Sequence, residues 1–268
     1  MSGKAIVITS GKGGVGKTTT TANLGAALAL AGNTVVLLDA DIGLRNLDVV
    51  MGLENRIVYD LVNVVEGVCT YNKALIKDKR IDGLYLLPAA QIKDKDAIKP
   101  EQMKALVENI KEEFDFVLID CPAGIEQGFL NAIIGADEAI IIVTPEVSSV
   151  RDADRVVGLL DKKGNIPLEN MHMVVNRIRM DMVRKKEMLD VSDIEDLLRI
   201  NVLGVIPDDE SVIVSTNKGE PIVLSSKNSV AQAFHDMAGR VLGEDIPFDE
   251  KPDRSFVSAV MRFFGLAQ

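Results

Sequence analysis

Eight residues constrain this chain more than any others. Gly11-Lys12-Gly13-Gly14-Val15-Gly16-Lys17-Thr18 has the spacing G-x-x-x-x-G-K-[ST], and it stands between the strand-like run Ala5-Ile6-Val7-Ile8-Thr9 and a helical segment that begins near Gly16 and continues through Thr19 to Ala31. A strand, a glycine-rich turn and a helix in that order form a cradle. The glycines let backbone N–H groups converge on phosphate oxygens, and the helix N-terminus adds its positive partial charge. In that frame Gly11 to Thr19 hold a nucleotide, Lys17 reaches the β- and γ-phosphates, and the Thr18 hydroxyl ligates Mg²⁺. Gly32 is expected to end the helix in a left-handed conformation.

The rest of the pattern supplies a sheet for this cradle to sit on. Short runs of Val, Ile and Leu alternate with longer helical segments, as parallel strands buried on both faces do. Strands are predicted at Ala5–Thr9, Val35–Asp39, Leu84–Leu87, Phe116–Asp120, Ala139–Val143, Met173–Val175 and Val202–Val205. The predicted fold is therefore α/β, a doubly wound and mostly parallel sheet with helices on both faces. Acids fall at the carboxyl ends of its strands, on the edge that carries the glycine loop. Asp120 is read as the acid that holds Mg²⁺ through water, Asp39 as support for the metal shell, and Asp41 as the residue that orients the attacking water. For Asp39 and Asp41 the alternative is a turn or helix-cap role. Gly124, in Asp120-Cys121-Pro122-Ala123-Gly124, is placed to turn its N–H toward the γ-phosphate.

Composition narrows the partners. Asp plus Glu outnumber Lys plus Arg by 40 to 30, and the net charge of −10 disfavours nucleic acid, so no specific nucleic-acid partner is expected. Cys69 and Cys121 have no metal or disulfide spacing and read as small buried hydrophobes in a reducing compartment. Met1 to Lys4 leads directly into the first strand, and no apolar run is long enough to span a bilayer, so a cytoplasmic protein is expected.

Four stretches carry a closer resemblance: the loop from Gly11 to Thr21, Leu38 to Asp48, Ile119 to Ile125, and Thr144 to Arg155. Together they resemble the MinD family of septum-site-determining ATPases, P-loop NTPases of the deviant Walker A type. The resemblance implies ATP and Mg²⁺ as cofactors and an ATP-dependent homodimer that binds the inner face of the cytoplasmic membrane and is released by hydrolysis. It also implies that Lys12 acts in trans on the partner's nucleotide. Ser148, Arg151, Asp152 and Asp154 would meet a MinC-like division inhibitor and a MinE-like stimulator. Related folds imply Asn176, Pro207 and Asp208 as base contacts. A flagellar-placement ATPase and a ParA-like partition ATPase are the alternatives; an iron–sulfur carrier would require paired cysteines that this chain does not show.

Domain organisation follows from the end of the chain. Residues 1–242 read as the ATPase domain. The segment 243–253 carries two prolines and five acids and reads as a flexible linker. In 254–268, Phe256, Val257, Val260, Met261, Phe263 and Phe264 share one helical face, with Ser255, Ser258 and Arg262 opposite. That pattern is expected of a helix lying in a membrane interface, anchored mainly by apolar insertion.

Overall fold

The computed structural model describes residues 2–91, 97–225 and 227–248. The six residues proposed for membrane contact, Phe256 to Phe264, lie outside them. Eight strands form one sheet: β1 Lys4–Thr9, β2 Val35–Asp39, β3 Ile76–Lys77, β4 Leu84–Leu87, β5 Phe116–Asp120, β6 Glu138–Val143, β7 Met171–Ile178 and β8 Asn201–Pro207. The helices are α1 Lys17–Leu30, α2 Leu47–Val50, α3 Leu61–Val65, α4 Tyr71–Ala74, α5 Pro100–Lys111, α6 Gln127–Ile133, α7 Val147–Leu159, α8 Met180–Arg184, α9 Val191–Leu198, α10 Ser211–Asn217 and α11 Ser229–Val241.

The strand order is β3-β4-β2-β5-β1-β6-β7-β8, parallel throughout except where β3 pairs antiparallel with β4. The chain runs outward from β1 to β2 and β4, returns to β5, and then crosses β1 to build β6, β7 and β8. The direction of winding thus reverses at β1, and ligands of open α/β sheets bind outside the carboxyl ends of strands at such a point. β1 ends there, at Thr9, and the glycine loop follows.

The period of two along each strand divides the core. Ala5 and Val7 face one side of the sheet, Ile6 and Ile8 the other, and β2 and β5 alternate likewise. Leu24 and Leu28 of α1, with Val230, Phe234 and Met237 of α11, cover one face. Met103 of α5, Phe129 of α6, Val150 and Val156 of α7 and Ile194 of α9 cover the other. Helix α1 lies very close to the sheet because Gly25 has no side chain: a Cβ there would come within 2.3 Å of Leu37 Cδ2. Gly32 closes the helix at φ +93°, its N–H donating to the Ala29 carbonyl at 2.9 Å.

Two expectations need correction. β7 and β8 run longer than the apolar cores Met173–Val175 and Val202–Val205, because polar His172, Asn176 and Asn201 also pair in the ladder. Asn176 is therefore inside β7, near its end, rather than beyond it. The segment 243–253 is not free from its start. Gly243, at φ +89°, turns the chain back, and residues 244–248 lie along the last turn of α11. Arg240 holds them there, through bonds to the Ile246 and Pro247 carbonyls. The acidic composition hid an arginine anchor that precedes it.

The packing of α11 is testable. Phe234 is 1% exposed, and Phe234→Ala should lower the unfolding free energy by about 3–5 kcal/mol in urea titrations. A loss below about 1 kcal/mol would mean that α11 does not belong to the cooperative core.

Candidate active site

The glycine loop is built to present donors. Gly14 and Gly16 have φ of +74° and +106°, values that admit glycine with least strain, and Gly16 is the residue from which α1 starts. Among the described residues, no backbone N–H from Gly13 to Thr19 donates a hydrogen bond within the protein; the first bond of this turn runs from the Thr20 N–H to the Gly16 carbonyl at 2.9 Å. A row of uncommitted N–H groups at a helix N-terminus is a ready anion site. Lys17, only 7% exposed, sends its ammonium into the same space and donates to Ser10 Oγ at 3.2 Å, while Ser10 Oγ donates to the Lys12 carbonyl at 2.7 Å. A buried cation with a neutral hydroxyl partner leaves charge to be balanced by a ligand.

The acids converge opposite this loop. Asp39 and Asp120 are register partners at the carboxyl ends of adjacent strands β2 and β5, and both are buried. Asp39 accepts from the Asp41 N–H at 2.9 Å and the Leu47 N–H at 3.3 Å. Burial, reinforced by the charge of Asp120, still pushes the Asp39 carboxyl well above the usual carboxylate range. Burial pushes Asp120 up to about 7, against the Thr18 hydroxyl, the Lys17 charge and the Thr21 hydroxyl, all of which pull it down. Thr21 Oγ1 donates to Asp120 at 3.3 Å. Two carboxyls held together in a dry place are stable as anions only when a cation joins them. Among the described residues no three or more His, Cys, Asp or Glu side chains converge to hold a metal alone, so a magnesium ion here needs phosphate oxygens as well. Thr18, Asp39 and Asp120 fit such an ion: they offer hard oxygen donors with excess negative charge beside a phosphate cradle. Asp41 follows Asp39 by two residues at the same edge, half-buried.

The other predicted residues are placed as follows. Gly124 has φ +95° and open space where a side chain would stand; its neighbour Ala123 lies next to Gly13, so the loop after β5 borders the glycine loop directly. Asn176 does not point away as a free base-reading amide: its Nδ2 donates to the Val15 carbonyl at 2.7 Å, and a Cβ on Gly16 would collide with it at 2.4 Å. It braces the loop, using one of its two amide hydrogens. Pro207 ends β8 and Asp208 follows, its N–H bonded to the Ile178 carbonyl at 3.0 Å, which puts both at the edge beyond Asn176.

Lys12 turns away from the phosphate space. Its Nζ pairs with Glu146 Oε2 at 3.0 Å, and both side chains are about half exposed. An ion pair so open to water contributes at most about 1 kcal/mol, so it holds Lys12 only lightly. Glu146 is the residue from which α7 starts, and α7 touches the loop a second time: a Cβ on Gly11 would meet the Asp152 backbone at 2.4 Å. Ser148, Arg151 and Asp154 are exposed on the same helix, whereas Asp152 is half-buried at this contact. Sequence reasoning missed Ser10, Thr21 and Glu146. Thr21 had a signal, since it lies one turn beyond Thr18 in a run of threonines; Glu146 had none, because its partner is 134 residues away.

Comparison with known proteins agrees with this geometry. A family model described as ParA, NUBPL iron-transfer P-loop NTPase, matches residues 2–242. The chain is 55% identical over 267 residues to the septum site-determining protein MinD of Bacillus subtilis, covering 98% of this chain and 99% of that one. It is similar to a chain of the MinC:MinD cell division protein complex of Aquifex aeolicus, with 52% identity, a TM-score of 0.86 and coverage of 92% and 98%. The septum site-determining protein MinD of Pyrococcus horikoshii, solved with Mg-ADP, is 31% identical with a TM-score of 0.80 and coverage of 91% and 99%.

The raised carboxyls set a pH dependence. A group whose folded pKa lies above its unfolded value contributes stability at low pH that is lost as pH rises through the folded pKa. The nucleotide-free chain should therefore lose stability between about pH 4 and pH 7 from Asp120, with Asp39 acting in the same direction. Urea denaturation across pH 5 to 8 checks this. Asp120→Asn should flatten the slope, and an unchanged slope would show that Asp120 is ionised in the free chain throughout.

Proposed function

This chain belongs to the MinD family of septum site-determining P-loop ATPases, and from that premise we propose how its residues run the cycle of an ATP-driven switch. It hydrolyses ATP with Mg²⁺ and serves the placement of the division septum. The reading of its site rests above all on one observation: uncommitted loop N–H groups, buried Lys17 and the buried pair Asp39 and Asp120 meet at one strand edge.

Gly11 to Thr19 bind the phosphates of ATP, and Lys17 neutralises β- and γ-oxygens. Thr18, Asp39 and Asp120 would hold a magnesium ion there, which would supply positive charge to the same phosphates. Asp41 orients the water that attacks the γ-phosphorus, as the bond to the β–γ bridging oxygen breaks and its electrons pass to ADP. Lys12 leaves Glu146 and crosses to the nucleotide of a second copy, where its charge stabilises the transition state as an arginine finger does. Gly124 follows the γ-phosphate with its N–H. Asn176 holds the loop and, with Pro207 and Asp208, borders the space for the base.

The ATP dimer presents two copies of the C-terminal segment and so becomes peripheral on the inner face of the membrane, returning to the cytoplasm after hydrolysis. One short interfacial helix binds reversibly, and a second on the same particle raises avidity by about 10² to 10⁴. Because the Aquifex relative is solved as a MinC:MinD complex, a MinC-like inhibitor is the partner expected at Ser148, Arg151, Asp152 and Asp154, with a MinE-like stimulator at the same helix.

Lys17→Ala should abolish nucleotide binding measured by calorimetry, whereas Lys12→Ala should bind ATP normally yet fail to dimerise in light scattering and lose roughly 10²- to 10³-fold in turnover. Normal ATP-dependent dimers of Lys12→Ala would refute its action in trans. Asp41→Ala should keep the ATP dimer and lose hydrolysis; loss of both would assign Asp41 to the metal or the scaffold. On liposomes, the full chain should sediment with a non-hydrolysable ATP analogue and not with ADP, and a chain ending at Lys251 or carrying Phe264→Asp should not sediment at all. Sedimentation of the truncated chain would place the anchor elsewhere.

A further inference from the structure

Helix α11 ends in a clamp that the ATPase cycle does not use. Gly243 reverses the chain with its N–H bonded to the Arg240 carbonyl at 3.0 Å, and the Glu244 N–H follows with a bond to the Gly239 carbonyl at 2.9 Å. Gly239 makes room for the return: a Cβ there would fall 2.4 Å from Ile246 Cδ1 and 2.7 Å from Glu244 Oε2. The Arg240 guanidinium then ties three segments together. Nε donates to the Ile246 carbonyl at 2.9 Å, Nη2 to the Pro247 carbonyl at 3.2 Å, and Nη1 to the Leu203 carbonyl on edge strand β8 at 2.9 Å. The Phe248 ring closes the arrangement with its centroid 3.8 Å from the guanidinium carbon. Three carbonyls and an aromatic face satisfy a planar, rigid donor as a lysine could not.

This is more than a helix terminus requires, since the Gly243 turn alone caps α11. Its consequence is where the tail starts. Loss of the Arg240 side-chain bonds leaves the backbone turn at Gly243 and Glu244 in place, so nine positions, 245–253, would then separate the fold from Arg254 in sequence; with the clamp five positions do, 249–253. At full extension that is a reach of about 17 Å instead of about 31 Å. We propose that Arg240, with Phe248, is a positioning residue for membrane attachment: it fixes the point of departure of the C-terminal segment on the β8 edge and keeps its tether short, so that the second tail of a dimer meets the surface at high effective concentration. The inference rests on the membrane reading above. Effective concentration falls with about the 3/2 power of linking length once the span is met, so releasing the clamp weakens avid binding about twofold.

The test uses the full chain. Arg240→Gln and, as a milder lesion, Phe248→Ala are compared with a chain in which four Gly/Ser residues are inserted after Phe248. Three quantities are read: cleavage after Glu244 by a glutamyl-specific protease, sedimentation with phosphatidylglycerol/phosphatidylethanolamine vesicles in a non-hydrolysable ATP analogue, and ATP turnover without vesicles. Arg240→Gln should be cleaved severalfold faster and bind vesicles about twofold more weakly, with turnover unchanged, and Phe248→Ala should move in the same direction. The insertion should weaken vesicle binding equally without faster cleavage. Unchanged cleavage in both substitutions would overturn the clamp, and faster cleavage with wild-type vesicle binding would overturn its positioning role. If the unmodified chain does not sediment with vesicles, the membrane reading itself falls, and the clamp loses its role with it.

Discussion

Everything at the functional edge depends on two carboxyl groups that ought to repel. Asp39 and Asp120 occupy paired positions on adjacent strands, both shut off from water. Burial alone disfavours their charge, and each makes the other's ionisation harder. One nearby ammonium, Lys17, is committed to the opposite wall. The protein tolerates this because a large sheet core surrounds the site, with a valine, isoleucine or leucine facing each side of every central strand. Raised carboxyls bind protons more readily there, and a polyphosphate with its cation would bring charges of the matching signs.

The same edge is packed against helix α7. Helix α7 meets the glycine loop through the Gly11–Asp152 backbone contact and the Lys12–Glu146 pair. The first is a close backbone approach; the second is an ion pair open to water. A helix packed so closely on the loop leaves no room for a side chain at Gly11, and Lys12 is held only by an exposed ion pair. Ser148, Arg151 and Asp154 are exposed on that helix.

How much of this was legible depended on the range of the interaction. The loop from Gly11 to Thr18 and the strand ends at Asp39 and Asp120 follow local rules: glycine where the backbone must turn, apolar runs where a strand is buried on both faces, an acid where the strand meets the ligand edge. Contacts that join distant segments left no local trace. Asn176 bonds a carbonyl 161 positions away, and nothing around it distinguishes a loop brace from a base reader. β3 is two residues long, too short for any period to appear. The segment after Gly243 looked free because its composition is acidic and prolyl, whereas its order comes from Arg240 on the preceding helix.

The central claim is that the buried acid pair is stabilised as an anion by the magnesium–nucleotide complex. Thermal unfolding at pH 8 in saturating ADP, with and without Mg²⁺, measures it most directly when the native chain is compared with Asp120→Asn. Mg²⁺ should add several degrees to the midpoint of the native chain and markedly less to that of Asp120→Asn. An equal Mg²⁺ increment in both chains would contradict the account, because it would mean that the ion gains nothing from the charge at the end of β5.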